Sequence, residues 1–120
     1  MVKYIDYKGK KILVTDYSQC KTIEDQIKLL KESEVILLKD NKKYLDLTIF
    51  TNAKGTKEFM KESKEFAKKT GHLMIKGALV IDHLSMAKKI LLDAYNVLLG
   101  EGSKLKSFSN IDDAKEYLVK

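Results

Sequence analysis

The residues best suited to chemistry stand at the ends of β-rich runs. Asp16 sits near the end of one such run, and Asp82 and His83 follow another. Two carboxylates and an imidazole brought together would hold Mg²⁺ or move a proton, which makes Asp16, Asp82 and His83 the candidate catalytic set. The bland alternative is that Asp82 caps the next helix and His83 lies on the surface. A second candidate is the stretch Thr51-Asn52-Ala53-Lys54-Gly55-Thr56, between a predicted strand and a predicted helix. Helix N-termini expose backbone N–H groups and favour anions, and Gly55 would let a phosphate come close to the backbone. Thr51, Asn52, Gly55 and Thr56 are therefore candidates for anion or ligand binding. Against this, Asn52 or Thr56 serves equally well as a simple cap.

Other chemistries find little support. His72 and His83 are far apart, Cys20 is remote from both, and no set of four ligands has zinc-site spacing. Cys20 reads as a small packing residue. No phosphate-binding glycine motif, nucleophile elbow or metalloprotease motif occurs. No metal site and no cofactor is expected.

The chain has 120 residues and a net charge of +6, and every one of its 23 basic residues is Lys. Without Arg, bidentate recognition of phosphate or guanine is lost, so specific nucleic-acid binding is not expected. The charge speaks either for an acidic partner or for a Lys-rich coding bias. It concentrates at Lys54, Lys57, Lys61, Lys64 and Lys68, whose steps of three and four place them on one helical face. That face would dock an acidic protein or anionic lipid heads, or would simply be solvated. Glu58–Lys61 and Lys61–Glu65 spacings suit ion pairs along it.

Hydrophobic patterning supplies the frame. Val2–Tyr7 and Ile12–Tyr17 read as two strands of a hairpin joined by a Gly-containing link. Thr22 caps a helix running to about Lys39. In Tyr44–Phe50, Leu45, Leu47 and Ile49 alternate with Tyr44, Asp46 and Thr48, which predicts a strand with two unlike faces. A helix then runs to Thr70, with Gly71 as its stop and Phe59, Met60, Phe66 and Ala67 inward. Met74–Ile81 reads as a strand buried on both faces, with Gly77 marking a close approach. Asp82 or Ser85 starts a helix ending at Gly100, whose apolar residues between Met86 and Leu99 exceed one stripe. That excess suits a homodimer contact, a pocket wall, or cover by the final helix. Leu105–Phe108 is a last strand, and Asn110 precedes a helix with Ala114, Tyr117 and Leu118 inward.

The order β-β-α-β-α-β-α-β-α predicts one α/β domain over residues 1–120, on a single mixed, mostly parallel sheet. The longest aliphatic runs, Val35–Leu38 and Ala78–Ile81, are four residues, against about 20 for a membrane span. No signal peptide is read at the N-terminus and there is one cysteine, so a cytoplasmic protein is expected.

The joints between these elements resemble the SpoIIAA-like (STAS-like) family of small bacterial proteins. The matching stretches are Leu45–Ala53, Lys64–Lys69, Gly77–Ile81 with Leu84–Ile90, and Lys106–Phe108 with Asp113–Val119. Tyr117 stands where that family often has Trp. The resemblance implies a non-enzymatic regulatory or ligand- and protein-binding domain. In anti-sigma-factor antagonists of this type, a Ser or Thr opening the second helix is phosphorylated and controls docking to a partner kinase. Here the Asp-Ser-Ser/Thr-Gly run is missing, and Thr56 or Thr51 would be the substitute. A small enzyme built on Asp16, Asp82 and His83 is the other alternative.

Overall fold

A computed structural model describes residues 1–81 and 105–120. The expected helix with Met86–Leu99, and with it Asp82 and His83, lies outside the described residues. The described chain is α/β: one five-stranded mixed sheet and three α-helices. In chain order these are β1 (Val2–Tyr7), β2 (Lys10–Asp16), α1 (Ile23–Asp40), β3 (Tyr44–Ile49), α2 (Lys57–Thr70), β4 (Met74–Val80), β5 (Leu105–Phe108) and α3 (Ile111–Val119). The strands lie side by side in sequence order; β1–β2 is antiparallel, and β2–β3, β3–β4 and β4–β5 are parallel.

The β1–β2 hairpin closes through Lys8 and Gly9, with φ of 49° and 80°. Positive φ at both central residues is what a two-residue turn of this hand requires, and Gly9 supplies it without strain. Tyr4 donates to Asp40 at the end of α1 over 2.8 Å, and Tyr7 donates to Glu116 on α3. Tyr4 and Tyr7 thus tie the hairpin to elements on opposite faces of the sheet. Burial, reinforced by Asp40, pushes the Tyr4 phenol up to about 12.

Each β-α-β step moves one strand across the sheet in the same direction. Right-handed crossovers then put α1 and α2 on one face. They pack against each other there, bridged by Lys31–Glu62 at 3.1 Å and Lys69–Glu34 at 3.5 Å. The other face carries α3, whose Ala114 and Leu118 are buried with Ile12, Val14, Leu45, Leu47, Ile49, Ala78 and Val80. Lys76 donates to the carbonyls of Tyr117 and Lys120, satisfying the end of α3 and opposing its dipole.

The helix boundaries follow capping chemistry. Thr22, Thr56 and Asn110 each accept a backbone N–H three residues on. Asn41, at φ 49°, ends α1 in the left-handed conformation. Gly71 follows the end of α2 at Thr70 as expected; its φ of −58° is right-handed, and the chain runs on through a 3₁₀ turn, Gly71–Leu73, into β4. At Gly77 a Cβ would stand 2.8 Å from both Leu105 Cδ1 and Met74 Sδ, so side chains, not a helix or backbone, make the close approach.

Candidate ligand cavity under the second helix

β3 has neighbours on both edges and helices on both faces. Its apolar residues, Leu45, Leu47 and Ile49, meet α3. The alternate set, Tyr44, Asp46, Thr48 and then Phe50, turns toward α1 and α2. An acid and a hydroxyl are thereby placed beneath two helices. Thr15 on β2 is the lateral partner of Thr48 and points the same way. Ser33 of α1, one turn from the buried Leu29 and Leu37, and Ser63 of α2, one turn from the buried Phe59 and Ala67, complete a polar seam. Thr70 closes it at the end of α2.

The seam surrounds a cavity of about 70 Å³. Its polar lining includes Thr15, Ser33, Asp46, Thr48, Ser63 and Thr70. Its apolar lining includes Leu30, Phe50, Phe59, Phe66, Met74 and Leu79. Tyr17, Phe50 and Phe59 form a ring cluster at one end, with centroids 5.4–5.6 Å apart.

Most of the seam is satisfied internally. The Thr15 and Ser33 hydroxyls bond each other at 2.9 Å, and Thr70 donates to the Phe66 carbonyl at 2.8 Å. Thr48 donates to Asp46 Oδ2 at 2.8 Å. Ser63 Oγ is fully buried and has no hydrogen-bond partner, the one such side-chain atom among the described residues. Asp46 makes no ion pair with a described residue. Burial pushes its carboxyl up to about 7; the Thr48 hydrogen bond opposes the shift without cancelling it.

Those residues singled out from sequence that the structure describes fall elsewhere. Asp16 ends β2 and accepts the Ser18 N–H at 2.9 Å, a local turn. Thr56 Oγ1 accepts the Phe59 N–H at 3.2 Å and so caps α2. The sharp turn of the loop falls at Asn52, with φ 62°, rather than at Gly55. The loop is held from below by buried Gln26, whose side chain accepts from the Lys54 N–H (3.0 Å) and donates to the Lys54 carbonyl (2.9 Å). Thr51 and Gly55 are half-buried, and Ala53 is buried. Cys20 is half-buried, and burial pushes its thiol up, away from the thiolate a nucleophile needs.

Lys54, Lys57, Lys61, Lys64 and Lys68 are all exposed, and the last four flank Met60 in a shallow surface groove. Lys68 pairs with Glu65 at 3.4 Å. Neither Glu58–Lys61 nor Lys61–Glu65 forms; Glu65 goes to Lys68 instead, and Glu62 reaches across to Lys31 on α1. Among the described residues no group of three or more His, Cys, Asp or Glu is arranged to hold a metal ion, and no helix is long and apolar enough to cross a membrane.

Reading from sequence missed the cavity because each of its polar residues has an ordinary local explanation. The signal was nonetheless present. A strand flanked by parallel neighbours is covered on both faces, so Asp46 had to point at a helix. Ser63 lies four residues from both Phe59 and Ala67, on the inward stripe.

No protein-family model, curated protein or solved structure matches this chain. The SpoIIAA-like resemblance accordingly rests on the sequence joints that carry it.

Proposed function

We propose that this chain is a non-enzymatic, STAS-like binding domain whose ligand occupies the cavity between β3 and α2. The observation that carries the reading is the half-buried Asp46 carboxyl, without a cation beside it among the described residues, set in a cavity next to a buried, unpartnered Ser63 hydroxyl. Buried polar groups are nearly always satisfied, so two under-satisfied groups lining one cavity favour an occupant.

Binding is favoured over catalysis by the pairing of the hydroxyls. A nucleophilic hydroxyl needs a base within hydrogen-bond reach. Here Ser63 has no partner, Thr15 and Ser33 bond each other, and Asp46 accepts from Thr48 two residues away on its own strand. The phospho-switch alternative at Thr56 gains nothing from the cap geometry, which already uses the hydroxyl. An effect on a protein partner would pass through α2, which carries both the cavity wall and the Lys face.

The test is a titration of the ¹⁵N-labelled protein with small neutral and charged compounds. Amide shifts confined to β3 and the Phe59–Thr70 part of α2 are expected. Shifts confined to the Thr51–Thr56 loop would move the site there.

A further inference from the structure

The chemistry of the cavity narrows its occupant, given that the cavity is the ligand site as proposed above. Thr48 satisfies Oδ2 of Asp46, and no described residue donates to Oδ1. The other ionisable groups among the described lining residues are the phenols of Tyr17, at the end of β2, and Tyr44, on β3. The described faces of α1 and α2 contribute hydroxyls and apolar groups: Leu30 and Ser33, then Phe59, Ser63, Phe66, Ala67 and Thr70. No described lining residue carries a positive charge. An anion would meet a carboxyl with no cation beside it. A divalent metal would find one carboxylate where Mg²⁺ or Ca²⁺ takes six or more oxygen ligands.

A positively charged N–H donor answers each deficiency. It neutralises Asp46, gives Oδ1 its missing donor, and has further N–H groups for Ser63 Oγ to accept. Aromatic faces in the same cavity favour a cation as well. The apolar lining requires that the rest of the ligand be hydrocarbon. Size sets its extent: an apolar cavity of about 150 Å³ holds benzene, so about 70 Å³ leaves room for roughly three non-hydrogen atoms.

We infer that the cavity binds a small primary alkylammonium ion, with its nitrogen on Asp46 and Ser63 and its alkyl group against Phe59, Phe66 and Leu79. The shift of Asp46 toward neutrality makes this binding pH-dependent. An alkylammonium stays protonated throughout the neutral range, whereas Asp46, poised at about 7, must ionise to receive it. Affinity therefore rises with pH, by about tenfold between roughly pH 6 and pH 8, as the competent fraction grows.

The experiment compares ethylammonium with its neutral isostere, ethanol, on the ¹⁵N-labelled full chain at those two pH values. Asp46→Asn serves as the variant. The expected result is that ethylammonium shifts β3 and α2 amides, about tenfold more tightly at the higher pH. Ethanol should bind more weakly with no pH dependence, and Asp46→Asn should abolish the preference for the amine. Equal binding of amine and alcohol, before and after Asp46→Asn, would overturn the amine assignment and leave the cavity as a neutral-ligand site. Absence of cavity shifts with either compound would overturn both readings. Should Asp46→Asn not fold, the pH dependence in the unmodified chain and its loss on filling the cavity by Ser63→Leu decide the matter.

Discussion

Asp46 and Ser63 are where the energetics of single residues are most exposed to test. The Asp46 carboxyl titrates at 3.8 when free and at about 7 in the fold. Between those values the unfolded chain has lost its proton while the folded chain keeps it, so stability falls as pH rises across that window. The contribution is fully present below about pH 4 and lost above about pH 7, a difference on the order of a few kcal/mol. Urea unfolding at intervals across the window should show this fall, and Asp46→Asn should flatten it and be the more stable form at the alkaline end. A flat profile in the unmodified chain would mean that Asp46 is solvated. The hydroxyls separate in the same way. Ser63→Ala removes an unpartnered buried group and should be neutral or stabilising by up to about 1 kcal/mol. Ser33→Ala strands the buried Thr15 hydroxyl and should cost about 1–3 kcal/mol. Thermal melts should therefore fall for Ser33→Ala and stay level or rise for Ser63→Ala.

At the scale of elements, capping decides where helices begin, and the loop before α2 is tied twice. Thr56→Ala should cost about 1 kcal/mol, because the Phe59 N–H loses its acceptor, whereas Thr56→Asp keeps an acceptor and adds a favourable charge at the helix start. Melting temperatures of the pair would show it, and equal losses from both would point to a role for Thr56 beyond capping. Gln26 makes two hydrogen bonds to the Lys54 backbone from a buried position. Gln26→Leu should release the loop, seen as faster amide exchange at Lys54, while leaving β3 protected. These joints are where the sequence was most legible. Thr22, Thr56 and Asn110 are caps by residue type and position, and Lys8-Gly9 is a turn by the conformational freedom of glycine. The stop of α2 at Gly71 was legible too; the 3₁₀ turn that follows it was not, since it places Leu73 in the core with Leu13 and Leu37.

For the molecule as a whole, the sheet order β1-β2-β3-β4-β5 makes β3 the central strand, covered by α1 and α2 on one side and α3 on the other. Amides of β2–β4 should thus exchange only on global unfolding, whereas the edge strand β1 opens at lower free energy. Hydrogen exchange under native conditions measures this; β1 protection equal to that of β3 would show that its free edge is covered. The +6 charge, which from sequence spoke either for an acidic partner or for a Lys-rich coding bias, sits on exposed Lys spread over the surface, with Lys57, Lys61, Lys64 and Lys68 aligned along α2. Lys57, Lys61 and Lys64 make no ion pair among the described residues, while Lys68 does. Any attraction of that face for an acidic surface should weaken with salt over a Debye length of about 8 Å at physiological ionic strength.

Taken alone, the sequence determined the identity and order of the described elements, their caps, the hairpin turn, and which apolar residues meet. Ile12, Val14, Leu30, Leu47, Ile49, Phe59, Leu79, Ile81, Ala114 and Leu118 are buried as their periodicity requires, though Ile27, Phe66 and Phe108 stay half-buried. These are local properties, set by hydrogen-bond geometry and by a period of two or 3.6 residues. The tertiary structure decided the candidate site. Thr15, Ser33, Asp46 and Ser63 are scattered along the chain, and each alone reads as a turn former or a solvated position. Only the stacking of α1 and α2 over the centre of the sheet closes them around one cavity and strips most of the water from Asp46. The desolvation that sets its charge belongs to that assembly and to no segment of the chain by itself.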